Sequence, residues 1–286
     1  MLSAAGQVFA FQLGLVLVLG LSIGSFLNVV IYRLPIMLER SWRREALAFL
    51  AREDEQSGAA EETFNLAVPG SACPHCNTAI RPWQNIPVLS FLLLGGRCAG
   101  CSAKISWRYP VVELLTGFVS VLLFLQFGWN GQLLAMLLFS YVCIALIGID
   151  YDHQLLPDSL TLPLLWAGLI LNSQALFVPL EHALWGAVGG YLFLWTVFWL
   201  FRIVTGKEGM GYGDFKLMAA FGAWFGWAAL PNIVLLSSLT GAVLGGLLIV
   251  CKLQDAQKPI PFGPFIAIAG WLTAVYPDFF MIFAYL

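Results

Sequence analysis

Charge is scarce in this chain. Of its 286 residues only 10% are Asp, Glu, Lys or Arg, against roughly 25% in soluble globular domains. Hydrophobic residues make up 60%, and that balance excludes a domain whose main solvent is water. Basic clusters are lacking as well. The net charge is −2, and no patch carries the grouped Lys and Arg that bind phosphates, which excludes nucleic acid as a ligand. There is no repeat at a fixed period, no low-complexity tract and no Gly-rich dinucleotide-binding fingerprint.

What the chain has instead is long apolar runs. A helix needs about 20 residues to cross about 30 Å of hydrocarbon. Eight candidate segments occur, at 9–31, 111–129, 132–149, 160–177, 183–201, 215–230, 233–251 and 264–283. The one at 215–230 is short and rich in Gly. The first lacks a basic flank on its N-terminal side and outlasts a signal peptide's apolar core, so it is read as a retained anchor. The expected fold is an all-α polytopic membrane protein of about eight transmembrane helices.

Threading these helices with the N-terminus outside places all 14 Lys and Arg on one side: those from Arg33 to Arg108, then Arg202, Lys207, Lys216, Lys252 and Lys258. The positive-inside rule makes that side the cytoplasm. The expected layout is helix 1 over 1–32, a cytoplasmic loop over 33–110 and a seven-helix domain over 111–286. Within the loop, 39–62 is rich in Glu, Arg and Ala and reads as an exposed helix or a mobile insertion.

Cys73, Cys76, Cys98 and Cys101 form a C-x2-C-x21-C-x2-C pattern. Two such pairs can turn four thiolates onto one tetrahedral metal, as in a zinc ribbon. A structural Zn would let a module at 73–101 fold with little apolar core. Two disulfides are the alternative, opposed by a reducing cytoplasm. Redox C-x-x-C chemistry lacks the surrounding βαβ pattern. Cys143 and Cys251 fall in apolar segments and read as packing residues.

Ionisable groups beside membrane helices mark function or a partner. Glu113, Asp150, Asp158 and Asp214 all fall at the predicted cytoplasmic boundary. Two carboxylates brought together divide the labour of peptide hydrolysis, since the second charge is hard to create beside the first. Asp150 and Asp214 lie at one depth on different helices, with glycines around Asp214 that permit close approach. Helix capping remains open for Asp214 and is the expected role of Asp158; Glu113 is compatible with an Arg108 pair or a helix N-terminus.

Gly209-Met210-Gly211-Tyr212-Gly213-Asp214-Phe215-Lys216-Leu217 contains a G-x-G-D motif in an extended form. With Gly24 to Pro35, Arg108 to Gly117 and Pro261 to Phe265, it resembles the type IV prepilin peptidases along nearly the whole chain. The resemblance implies Asp150 and Asp214 as the catalytic pair, supported by Gly211, Gly213 and Lys216. It further implies removal of a basic leader after a Gly from prepilins or pseudopilins, with lipid as surrounding medium, in the cell inner membrane. Bifunctional members then methylate the new N-terminus with S-adenosyl-L-methionine, and Gly96-Arg97 matches a pair linked to that step. A presenilin-like intramembrane protease and a carboxylate-based ion transporter are the competing readings. The absence of a repeat and the boundary position of the acids weigh against the transporter.

Overall fold

The computed structural model describes residues 4–50, 63–251 and 260–277. Among these residues it is all helix apart from turns and two isolated β-bridges. The helices are α1 Ala4–Leu50, α2 Leu89–Leu93, α3 Arg108–Phe127, α4 Gly131–His153, α5 Asp158–Asn172, α6 Leu180–Thr205, α7 Tyr212–Phe225, α8 Leu230–Val250 and α9 Gly263–Val275. An all-α membrane protein is therefore borne out. Each of the eight expected segments holds a helix. Five stretches are long and apolar enough to span a bilayer: Gly6–Leu50, Arg108–Phe127, Gly131–His153, Leu180–Thr205 and Trp227–Leu247. α5, α7 and α9 are shorter, with 15, 14 and 13 residues.

α1 continues well past its expected end and carries Pro35 inside it. The stretch at 39–50 is thus helix, and 51–62 lies outside the described residues. The chain divides into two compact units, 1–126 and 127–286.

In the first unit α1 and α3 run antiparallel, because Phe9 stacks on Phe124 while Gly24 meets Glu113. Their backbones approach through small residues. A Cβ on Gly20 would lie 2.5 Å from Ser120 Oγ, and one on Gly24 would lie 2.7 Å from Glu113 Cα. Close contact of this kind is how helices associate where lipid offers no hydrophobic contrast. At the polar end of α1, Arg33 is buried and donates to the Asn65 carbonyl at 2.9 Å, which folds the 63–70 loop against the helix.

The second unit is built around α7, buried from Asp214 to Phe225 except at Lys216. Gly186 of α6 meets Gly222 of α7 backbone to backbone, and Gly168 of α5 admits the Trp224 ring. The Trp224 indole N–H donates to the Leu164 carbonyl at 2.7 Å. At the C-terminal end of α7, the Asn172 amide donates to the Ala223 and Trp224 carbonyls at 2.9 and 2.8 Å, satisfying groups that the helix leaves open. With protein on all sides, a helix of about 21 Å needs no full bilayer length of its own.

Candidate active site and metal centre

Four chain segments of the second unit meet around Asp150 and Asp214. Asp150 sits in the last turn of α4, where Gln154 turns left-handed (φ 52°) and donates its N–H to the Asp150 carbonyl at 2.9 Å. Asp214 is the third residue of α7, whose N-cap is Gly211. The Gly211 N–H donates to Asp214 Oδ2 at 3.1 Å, and the Asp214 N–H returns to the Gly211 carbonyl at 3.2 Å. Asp214 therefore stands inside the first turn and is not the N-cap.

Leu156, on the connection from α4 to α5, packs against the glycines that adjoin the two acids. A Cβ on Gly213 would lie 2.7 Å from Leu156 Cβ. One on Gly263, at the start of α9, would lie 2.5 Å from Asp150 Oδ2 and 3.1 Å from both Leu156 methyls. The Gly263 backbone N–H also faces the Asp150 carboxylate. Only a residue without Cβ allows these approaches. They bring Asp150 and Asp214 within Coulombic reach of each other, each 5% exposed. Both occupy helix ends and not mid-helix positions.

In the first unit the four cysteine sulfurs lie within 4.8 Å of one another and could hold a metal ion. Cys73 and Cys101 Sγ are 3.8 Å apart, and Cys76 and Cys98 Sγ are 4.0 Å apart. A tetrahedron with metal–sulfur bonds of about 2.3 Å has sulfurs about 3.8 Å apart. All four thiols are free, which removes the disulfide reading. His75 stays outside the cluster.

Each pair is set by the same turn, repeated 25 positions on (73 to 98). Asn77 and Ser102 are both left-handed, at φ 55° and 58°, and donate to the Cys73 and Cys98 carbonyls. Bridges Ala72 to Ala79 and Arg97 to Lys104 close the two turns. The Gly100 N–H points at Cys98 Sγ at 3.4 Å. Hydrogen bonding with Thr78, first through its hydroxyl and then through its backbone, draws the Cys76 thiol down to about 6, while, against a backbone hydrogen bond with Ala103, the neighbouring Cys76 sulfur and burial push Cys101 up to about 12.

Comparison with known proteins decides the family. The bacterial peptidase A24 N-terminal domain matches residues 18–127, and the type IV leader peptidase family matches residues 137–246. The prepilin leader peptidase/N-methyltransferase of Stutzerimonas stutzeri is 57% identical over 262 residues, 92% of this chain and 90% of that protein. The chain belongs to the type IV leader peptidase family. A Pseudomonas aeruginosa protein of the same description is 54% identical over 274 residues, 96% of this chain and 93% of that protein. No solved structure matches.

The leader peptidase match spans Asp150 and Asp214, and the N-terminal domain match spans all four cysteines. Three readings of single residues change. Asp158 was expected to cap α5, but Pro157 is the N-cap and Asp158 is the first helical residue. Its two carboxylate oxygens accept from Lys216 Nζ at 2.6 and 2.7 Å, tying the start of α5 to α7 one residue beyond Phe215. Glu113 is neither a helix opener nor exposed: it lies in the second turn of α3, buried, accepting the Val88 N–H at 2.7 Å and packed on α1 at Gly24, next to Ser25. Cys143 is buried as a packing residue, whereas Cys251 follows α8 and is exposed.

Gly96 adopts φ +67°, and a Cβ there would lie 3.0 Å from the Phe91 ring, so the position requires Gly for local reasons. Arg97 beside it pairs by backbone with Lys104. Sequence alone assigned no part to Leu156 and Gly263. Gly263 was within reach, since it sits in the Pro261 to Phe265 motif, but nothing in that motif says which carboxylate its amide meets.

Proposed function

We propose that this chain is a membrane-embedded aspartic endopeptidase that removes the leader of type IV prepilins or type II secretion pseudopilins after a Gly, and then N-methylates the exposed residue. The observation that carries this reading is the convergence of Asp150 and Asp214, from the end of one helix and the start of another, in a chain of the leader peptidase family. A prepilin joins a basic leader to an apolar helix, so its scissile bond lies at the cytoplasmic membrane boundary. Carboxylates at helix ends suit that depth.

In the reaction one carboxylate takes a proton from a water whose oxygen attacks the scissile carbonyl carbon. The other, protonated, gives its proton to the carbonyl oxygen. Collapse of the tetrahedral diol breaks the C–N bond as one diol hydroxyl returns its proton to the second aspartate. The leader keeps the new carboxylate, and the proton held by the first aspartate goes to the departing amine. The Gly211 and Gly263 amides hold the two carboxylates in place for this exchange. The Asp158 to Lys216 pair, with Gly213 beside it, fixes the start of α7 against α5.

For the metal, the cysteine set and its sulfur spacings suit Zn, held by Cys73, Cys76, Cys98 and Cys101 as a structural centre. S-adenosyl-L-methionine, when bound, supplies the methyl group, and Gly96 and Arg97 belong to that part of the protein. The inner membrane is the location, with the cysteine module and both aspartates on the cytoplasmic side and the termini periplasmic. The test is incubation of the purified protein in lipid with a prepilin, with and without S-adenosyl-L-methionine, read by mass spectrometry. Leader removal in both samples and a methyl mass increment only with the donor is the expected result. An intact prepilin would overturn the peptidase reading, and an unmodified mature product the methyltransferase reading.

A further inference from the structure

The module between α1 and α3 has an apolar surface that neither the dyad nor the metal centre uses. Leu92 and Leu93 of α2 are 66% and 77% exposed, and Trp83 and Trp107 are 58% and 71% exposed. Cys73 is the single buried residue between 63 and 107. A water-facing module would not choose this arrangement, because so many large apolar side chains exposed on so small a module mark a binding surface.

Three observations say what covers it. The first is depth. The Val88 N–H, at the N-terminus of α2, donates to Glu113, which packs on α1 at Gly24, next to Ser25. Glu113 lies about 8 Å along α3 from Arg108 by helical rise, and α3, with 20 residues, is only just long enough to cross the hydrocarbon. Ser25 stands inside the apolar part of α1. The start of α2 is therefore tied below the end of two spans of its own unit.

The second is charge. From residue 63 to residue 112 the chain has four Lys and Arg (Arg81, Arg97, Lys104, Arg108) and no Asp or Glu. The third is residue type: Trp flanked by Arg, with Arg81 over the Trp83 ring at 5.0 Å, is the combination that settles at headgroup level.

We propose that α2, with Trp83 and Trp107, is an interfacial membrane anchor that inserts Leu92 and Leu93 into the acyl boundary of an anionic leaflet. It lays the four-cysteine module flat against the bilayer, with the surrounding cations among lipid headgroups. This stands apart from the proposed reaction, since lipid contact needs neither cleavage nor methylation.

The experiment places a benzophenone amino acid at position 92, at 93, or at exposed His75 of the same module, in the full chain. Each protein is put into nanodiscs of phosphatidylcholine with or without phosphatidylglycerol, without substrate. After irradiation, lipid adducts are counted by mass spectrometry. The expected result is a lipid yield at 92 and 93 at least about fivefold above that at 75, with phosphatidylglycerol adducts exceeding its share of the lipid. Equal yields at the three positions would overturn the proposal, as would adducts at 92 and 93 to a second copy of the chain in place of lipid. Leu92→Glu and Leu93→Glu together give a second readout. Amide hydrogen exchange over 89–107 should then rise severalfold in nanodiscs and remain unchanged in detergent; no change in nanodiscs would contradict it.

Discussion

The cysteine module and the helices around Asp150 are held together in opposite ways. Between 63 and 107 one buried residue, Cys73, is all the interior the module has, and its two turns are fixed by left-handed Asn77 and Ser102 and by four sulfurs facing one point. In the bundle that holds the aspartates there is instead almost no space: Gly213 on Leu156 and Gly263 on Asp150 at the site, and Gly186 on Gly222 farther along α7, leave no room for a Cβ. A module without an interior depends on what it binds. A packed bundle depends on the shape of its own residues. The first should therefore be lost by removing a ligand and the second by adding an atom.

The largest effect is expected from the metal. Structural Zn contributes on the order of 10 kcal/mol of folding free energy in small domains. Chelation, or Cys98→Ser, should abolish protease resistance of the 63–107 stretch and lower methylation by about a hundredfold or more. Leader cleavage should change little, since the aspartates lie in a separate compact unit. Parallel loss of both activities would break the comparison. Limited proteolysis with a two-activity assay reads it.

Next in size are the glycines. Gly263→Val and Gly213→Val push side-chain atoms into Asp150 or Leu156, at a cost of about 1 to 3 kcal/mol in overpacking. Cleavage should fall at least about tenfold while zinc content stays constant. Metal analysis beside kcat measurement separates the two.

The smallest effect is expected at the Lys216 and Asp158 pair. Its side chains are 29% and 56% exposed, so solvent screening limits the pair to about 1 kcal/mol or less. Lys216→Met should lower kcat about threefold to fivefold with KM nearly unchanged. Swapping the two charges should recover part of the loss; no recovery would remove the pair from the positioning of α7.

Much of this is legible in the sequence, because the signals are local. Apolar length marks a candidate span, so each of the eight expected segments holds a helix, and a C-x2-C turn brings two sulfurs together by itself. What could not be read depends on distant contacts. Asp158 looks like a cap because Asp before Ser159-Leu160-Thr161 commonly is one, yet Pro157 takes that position and Lys216, 58 residues away, claims the carboxylate. Glu113 is compatible in sequence with an Arg108 pair or a helix N-terminus, while the amide it accepts from belongs to Val88. α1 ran past its apolar stretch because Glu, Arg and Ala after Pro35 are good helix formers even in water.

The central claim is that Asp150 and Asp214 work as one unit on the scissile bond. It is tested most directly by Asp150→Asn, Asp214→Asn and the double variant, purified in lipid, each with Zn content and circular dichroism matched to the parent, and assayed for leader removal from a prepilin by mass spectrometry. Each single change should lower cleavage by about a thousandfold or more, and the double variant should be no worse than the singles. Ready cleavage by either single variant would contradict the account.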